Sequence, residues 1–233
     1  MEPEASYARQ VAFFREKVDD YRQRGLRCFA SSSFQTHSVP MLHALQRIAP
    51  EVPIYFLDTG FHFAETLAYR DRIAAWLGVQ VHSLRSPITK LQQRDALGQF
   101  WFTSDPDYCC YLNKTLPLEP KVAGFDVWIS GVRRDQSATR RAFAHEAPGP
   151  AGTLRFHPML DWNKRMVWQY VRDFGIPRHP LESQGYDSVG CEPCTRVSLT
   201  GDDRGGRWFG LKKTECGLHT ELVAKPATAE TTQ

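Results

Sequence analysis

The six cysteines of this 233-residue chain differ in their spacing and setting. Cys109 and Cys110 are adjacent in "YCCYLNK", Cys191 and Cys194 bracket the turn "CEPC", Cys216 lies in "KKTECGLH", and Cys28 sits inside the apolar "LRCFA". Two separated thiol pairs can bind zinc, hold an iron–sulfur cluster or close disulfides, and ligand chemistry alone does not separate zinc from iron–sulfur. Six cysteines in a chain of this length are too few for a disulfide scaffold, and the adjacency of Cys109 and Cys110 argues further against three simple bridges. Cys28 reads as a packed thiol. Cys216 stands apart from both pairs; an inert thiol is the plain reading, but Lys212, Lys213 and His219 favour a thiolate while Glu215 works against it.

Three polar loops carry a second kind of chemistry. "SSSFQTHS" offers Ser31, Ser32 and Ser33, with their backbone N–H groups, ahead of a helix, an arrangement that cradles phosphate or sulfate. It lacks the GKS/T ending of a Walker loop. "LDTG" supplies Asp58, Thr59 and Gly60, a carboxylate able to accept from a nucleoside beside a residue that permits a tight turn. "SGVRRDQSATR" supplies Arg133, Arg134 and Arg140, whose planar forks match phosphate and sulfate. Each has a bland alternative: a plain serine turn, a helix-start aspartate, a solvated charged loop.

The elements that position these loops follow from periodicity. Residues 5–24 have helical spacing, and 26–30, 52–57, 79–84, 125–130 and 154–160 read as strands. The helical patterns at 39–49, 63–78 and 163–175 alternate with those strands, which is the order of a doubly wound, mostly parallel α/β sheet. The spacing also predicts a helix over 87–98 and a short helix around the cysteine pair that ends by Pro117. All three polar loops then follow strand ends, where open α/β sheets bind ligands, so together they favour a nucleotide site more than each does alone. Trp162 and Trp168 read as packing residues rather than base-stacking platforms.

Composition narrows the alternatives. A formal charge of +3, from 29 Lys and Arg against 26 Asp and Glu, gives no reason to expect a nucleic-acid partner. There is no apolar run long enough to cross a membrane and no signal-like N-terminus, so a cytoplasmic address is expected. Residues 1–199 read as the nucleotide- and cysteine-bearing domain, and 200–233 as a mobile C-terminal segment with a disordered tail.

"SSSF", "LDTG", "RRDQSATR", "GCEPCTR" and "KKTECGLH", in that order, resemble the assimilatory sulfonucleotide reductase family, from about residue 27 to residue 219. The resemblance implies an α/β fold related to ATP pyrophosphatases, of the adenine nucleotide alpha hydrolase type. It further implies one 4Fe-4S cluster per chain held by Cys109, Cys110, Cys191 and Cys194, with zinc as the alternative. The implied reaction is thioredoxin-dependent reduction of adenylyl sulfate (APS) to sulfite and AMP in sulfate assimilation and cysteine biosynthesis. The phosphorylated substrate (PAPS), or use of both, is the alternative, since "SSSFQTHS" and "DTGFHF" lean towards that branch. A non-catalytic iron–sulfur or zinc nucleotide module is a third reading.

Carried onto this chain, the resemblance makes Cys216 the nucleophile that takes the sulfonate as a thiosulfonate, later released by a thioredoxin-like thiol. Arg133, Arg134, Arg204 and Arg207 fall at positions that grip the phosphosulfate, Lys114 adds charge from the cluster side, and His219 follows the nucleophile. Gly201, Gly205 and Gly206 lie around Arg204 and Arg207, as a closing segment requires. Family members are commonly homo-oligomers, and the same is expected of this chain.

Overall fold

A computed structural model describes residues 7–198, 205–208, 210, 213, 215 and 218. Helix α1 (Tyr7–Gln23) buries Phe14, Val18 and Tyr21 along one stripe. It leads into β1 (Cys28–Ser31), α2 (Val39–Ile48), β2 (Ile54–Leu57), α3 (Ala64–Leu77) and β3 (Val81–Leu84). Pro40 occupies the first turn of α2, where its missing N–H costs nothing, and Gly78 closes α3 in the left-handed conformation with φ 66°.

The short helices α4 (Trp101–Ser104) and α5 (Pro106–Cys110) come next, then a π turn (Tyr111–Thr115) and α6 (Leu116–Val122). The chain continues through β4 (Val127–Ser130), α7 (Ala138–Arg141), β5 (Glu146–Pro148), β6 (Leu154–Phe156) and α8 (Lys164–Asp173). The strands form one sheet in the order β3-β2-β1-β4-β6-β5, parallel except for the antiparallel edge strand β5. Residues 176–198 are irregular apart from two 3-10 turns, as their Pro, Gly and charge content predicts.

Alternation along the strands separates two apolar layers. Ala30, Ile54, Phe56, Val127, Ile129 and Phe156 join the larger core, to which α1, α2, α3 and α8 contribute. Phe29, Leu57 and Trp128 join a smaller core covered by Leu118 and Val122 of α6. Helices thus cover both faces, and the doubly wound α/β expectation holds.

Two local readings are corrected, and one strand went unread. Residues 87–98 form a 3-10 turn (Lys90–Gln92) and a loop rather than a helix. The Thr89 and Gln92 side chains bond within this segment, Asp95 accepts from the amides of Leu97 and Gln99, and Gly98 has φ 77°. Local side-chain bonds of this kind compete with helical ones. Pro117 does not end a helix but lies in the first turn of α6, after the π turn. Strand β5 was not legible: it has three residues, includes Pro148 and occupies an edge, where the missing N–H is tolerated.

Candidate active site

The strand order reverses between β1 and β4, so the loops after these strands diverge and leave a crevice. A cavity of about 280 Å³ lies there, bordered by Ser31–Ser33 after β1, Ser130, Gly131 and Arg133 after β4, Leu57 at the end of β2, and residues 186–191. The first loop is built under backbone strain. Phe34 has φ 52°, unfavourable for a residue with a β-carbon, yet its ring is fully buried and packs on Phe56. The Phe34 amide donates to Ser32 Oγ at 3.1 Å. Ser31 Oγ accepts from Trp128 Nε1 at 2.7 Å, so Ser33 is the most exposed of the three serines. Gln35, which no sequence spacing singles out, ties this loop across the cavity by accepting from Val189 N and Ser188 Oγ.

Arg133 lines the cavity at 3% exposure, with Nε donating to Asp135. Its Nη1 is buried without a partner among the described residues, an orphaned donor at the cavity wall. His62 is a second residue the sequence reading passed over. Its Nε2 lies 2.9 Å from the Leu57 carbonyl, to which it donates, leaving Nδ1 as a buried acceptor without a described partner. Burial, reinforced by the charge of Lys114, pushes the His62 pKa below its ordinary value against the Leu57 hydrogen bond, so the ring is neutral.

Arg134 and Asp58 do not border this cavity. Arg134 donates to Asp161 and to the carbonyls of Arg141 and Phe143. Asp58 accepts from Arg85 and from the Gly60 amide. Burial raises the Asp58 pKa, but those hydrogen bonds and the Arg85 charge outweigh it and hold the carboxyl below the usual range. Its described partners are thus the Arg85 guanidinium and the turn amide of Gly60. Trp162 is core and Trp168 packs on that core, as read; Trp168 also borders the cavity.

A second, smaller pocket adjoins the first and is lined by Cys109, Cys110, Cys191 and Cys194. Asp105 caps α5 by accepting from the amides of Asp107 and Tyr108, which fixes the helix that presents the adjacent pair. The other pair sits on a 3-10 turn (Glu192–Cys194), pinned to the β2 loop by the Glu192 amide donating to the Phe61 carbonyl at 2.7 Å. Thr59, expected at the nucleotide, instead approaches Cys191 Sγ at 3.3 Å. Asn113 donates to Cys109 Sγ at 3.6 Å and exchanges two amide hydrogen bonds with Gln93. Burial, together with the neighbouring Cys191 and Cys194, pushes the Cys109 thiol up to about 11. Burial also raises Cys194.

Four sulfurs around one desolvated pocket, with a hydroxyl and an amide directed at two of them, fit a bound metal group, because bound iron or zinc supplies the positive charge that thiolates there need. The sulfurs line the walls without converging: among the described residues no three His, Cys, Asp or Glu side chains group tightly enough to hold one metal ion. Four residues, Lys114, Cys191, Arg207 and Trp208, border both spaces and form the wall between them. Arg207 lies over the Trp208 ring and donates to the Cys194 carbonyl. Gly60, with φ 71°, makes the tight turn expected of it.

Cys216, His219 and Arg204 lie outside the described residues, as does most of the segment from 200 onwards. The flanking Glu215 is described, and its charge is matched by Arg140 at 2.9 Å, so it is not the bare anion that the sequence set against a thiolate.

Fold and site together define a doubly wound α/β protein with a polar cavity at the sheet's switch point and a four-cysteine pocket against its wall. The chain matches the phosphoadenosine phosphosulfate reductase domain over residues 27–197. It is 42% identical over 185 residues to an adenosine 5'-phosphosulfate reductase of Streptomyces coelicolor, covering 76% of each chain. It is 36% identical over 222 residues to a phosphoadenosine 5'-phosphosulfate reductase of Gloeobacter violaceus, covering 93% of this chain and 88% of the relative. Its fold superposes with a TM-score of 0.65 on the phosphoadenylyl-sulfate reductase of Candida auris, at 20% identity, covering 76% of this chain and 87% of that one. The chain belongs to the phosphoadenosine phosphosulfate reductase domain family. No helix among the described residues is long and apolar enough to cross a membrane.

Proposed function

We propose that this chain is an adenylyl-sulfate reductase, converting APS to sulfite and AMP with a thioredoxin-like dithiol as reductant. The observation that carries the reading is the shared wall, where Lys114 and Arg207 stand between the nucleotide cavity and the four cysteines. A sulfonucleotide lying in the cavity with its phosphosulfate towards this wall meets cations on that side and Arg133, with its orphaned Nη1, on the β4 side. These cations balance the ground-state charge and the charge that gathers on the departing phosphate.

The Cys216 thiolate attacks the sulfuryl sulfur; the S–O bond to phosphate breaks, its electron pair leaves with AMP, and Cys–S–SO₃⁻ remains. One thiolate of the dithiol then attacks Cys216 Sγ and expels sulfite, and the second thiol resolves the mixed disulfide. The dithiol supplies both electrons. Cys109, Cys110, Cys191 and Cys194 would hold a 4Fe-4S cluster, which would supply charge beside the site. Ser33 and the backbone of its loop bind an anionic oxygen, and Arg204 and His219 are assigned with Arg207 to the phosphosulfate.

The four cysteines and Lys114 favour APS over its 3′-phosphorylated form. Measuring kcat/KM for both substrates with reduced thioredoxin tests the assignment. Sulfite release from APS at least tenfold more efficient than from PAPS supports it; the reverse preference assigns PAPS, and no sulfite from either leaves a binding module.

A further inference from the structure

Glu215 is 2% exposed, and its carboxylate accepts hydrogen bonds from Arg140 and Ser137. Arg140 donates from Nε to Oε1 at 3.1 Å and from Nη2 to Oε2 at 2.9 Å, and Ser137 Oγ donates to Oε1 at 2.6 Å. Arg140 is itself buried, and its remaining nitrogen, Nη1, donates to Gln136 Oε1. That same oxygen accepts the Arg133 backbone N–H at 3.1 Å. A continuous hydrogen-bonded line therefore runs from Arg133 at the cavity, through Gln136 and Arg140, to Glu215. One peptide bond separates Glu215 from Cys216.

Two unlike contacts flank this anchor. Lys213 forms an ion pair with Asp107 on α5, two residues before Cys109. Leu218 packs into the smaller core with Leu57, Leu118 and Trp128. Lys213, Glu215 and Leu218 are thus tied to the cysteine helix, the arginine loop and the sheet respectively.

A buried ion pair is a poor choice for stability alone, because an apolar pair of similar volume often serves as well or better. What a two-pronged guanidinium–carboxylate contact adds is geometry: it fixes distance and plane together. We propose that Arg140 and Glu215 are positioning residues that seat the nucleophile-bearing segment against the cavity. Through Gln136, they couple that seating to the loop that holds the substrate's anion. The proposal rests on Cys216 being the nucleophile.

The test uses the full-length protein with APS and no thioredoxin, following the sulfonate adduct on the Cys216 peptide by quenched-flow mass spectrometry. AMP affinity and the rate of Cys216 alkylation by iodoacetamide are measured in parallel. Glu215→Gln keeps the volume and removes the charge. Its adduct rate is expected to fall at least 30-fold, its AMP Kd to stay within threefold, and its alkylation without ligand to quicken at least fivefold. Ser137→Ala keeps the ion pair and deletes one hydrogen bond; a loss of three- to tenfold in adduct rate is expected, and this variant decides the matter if Glu215→Gln does not fold.

A folded variant with an adduct rate within twofold of wild type overturns the proposal. So does a loss of AMP affinity in step with the rate, which marks general damage to the cavity. Cys216→Ser, run alongside, separates the two readings: sulfite from that variant defeats the nucleophile assignment and the positioning role with it. A silent Cys216→Ser beside a normal Glu215→Gln defeats the positioning role alone.

Discussion

Arg207 lies directly against the backbone of Gly190. A β-carbon built on that glycine stands 2.7 Å from Nη1 and closer still to Cζ and Nη2, so the guanidinium occupies the space a side chain would need. Gly190 is not among the glycines with positive φ; its contribution is room rather than backbone freedom. Arg207 ends in a flexible side chain that can move aside, so Gly190→Ala is expected to fold with nearly unchanged Tm and to misplace the cation. KM for APS should rise about tenfold, or ~1.4 kcal/mol. Adding Arg207→Ala to Gly190→Ala should cost little more, because both changes remove the same interaction. Steady-state kinetics and thermal melts of the single and double variants check this; an unchanged KM in Gly190→Ala refutes it.

Asp58 gives a contrasting expectation. Both contacts from Arg85, at 2.8 and 2.7 Å, converge on the single oxygen Oδ2, while Oδ1 accepts from the Gly60 amide at 3.0 Å. The carboxylate side chain is 2% exposed, whereas that of Arg85 is 73% exposed, so the pair is half solvated and worth less than a buried bridge. Asp58→Asn should destabilise the fold by about 1–2 kcal/mol, through weakened charge-assisted bonds, and leave the Kd for AMP within threefold. Urea unfolding and calorimetric titration with AMP measure both. Lost AMP affinity at unchanged stability would return Asp58 to the nucleoside.

The four-cysteine pocket makes a prediction about composition. Wild-type protein prepared without oxygen should be brown and carry about four irons per chain, and Cys110→Ser should lose most of them. Thr59→Val keeps the side chain's shape and deletes the hydroxyl beside Cys191. It should retain iron but yield it faster to a chelator. A colourless protein with one zinc per chain, or full iron in Cys110→Ser, contradicts the ligand set.

Two buried histidines predict the pH dependence of stability. Burial holds His157 down to about 3 and His179 down to about 4, well below the ordinary imidazole value. The unfolded chain therefore binds protons in a range where the folded chain does not. Stability is full above about pH 6.5 and declines as pH falls from there towards 4. His179→Gln should flatten part of this decline, since it removes one of the contributing sites, at some cost to the hydrogen bonds with Thr66 and Leu181. Melts between pH 4 and 8 record the slopes; parallel curves for wild type and variant count against the assignment.

Much of this was legible in the sequence because periodicity reports burial. Short apolar runs located the strands, and in the structure Phe29, Tyr55 and Trp128 alternate with Ala30, Phe56 and Ile129 between the two cores. The cysteine pairs were legible as pairs because few residue types do what thiols do. Long-range polar bonds were not legible. Gln35 reaches Val189 and Arg140 reaches Glu215 across 154 and 75 positions, and no spacing rule encodes such contacts. Thr59 and Asp58 are neighbours in one motif, yet one approaches a cysteine sulfur and the other an arginine. Extended chain sends successive side chains opposite ways, so a motif read as one ligand surface served two.

The π turn at Tyr111–Thr115 carries its own consequence for Lys114, which it contains. Such a turn holds one residue more than an α-helical turn, and each helical residue advances the winding by about 100°. Rewinding this stretch as ordinary α-helix would rotate everything on one side of it relative to the other by roughly that angle. Cys109 and Cys110 precede the turn and α6 follows it, so the extra residue acts as a phase adjuster. It lets the cysteines keep their aim while the following helix keeps its apolar face on the sheet. Deleting one residue there would let the turn close as ordinary α-helix with the phase of both flanks kept. Adding one residue to either flanking helix would instead turn α6 by about a quarter revolution relative to the cysteines, and the rotation is the larger injury.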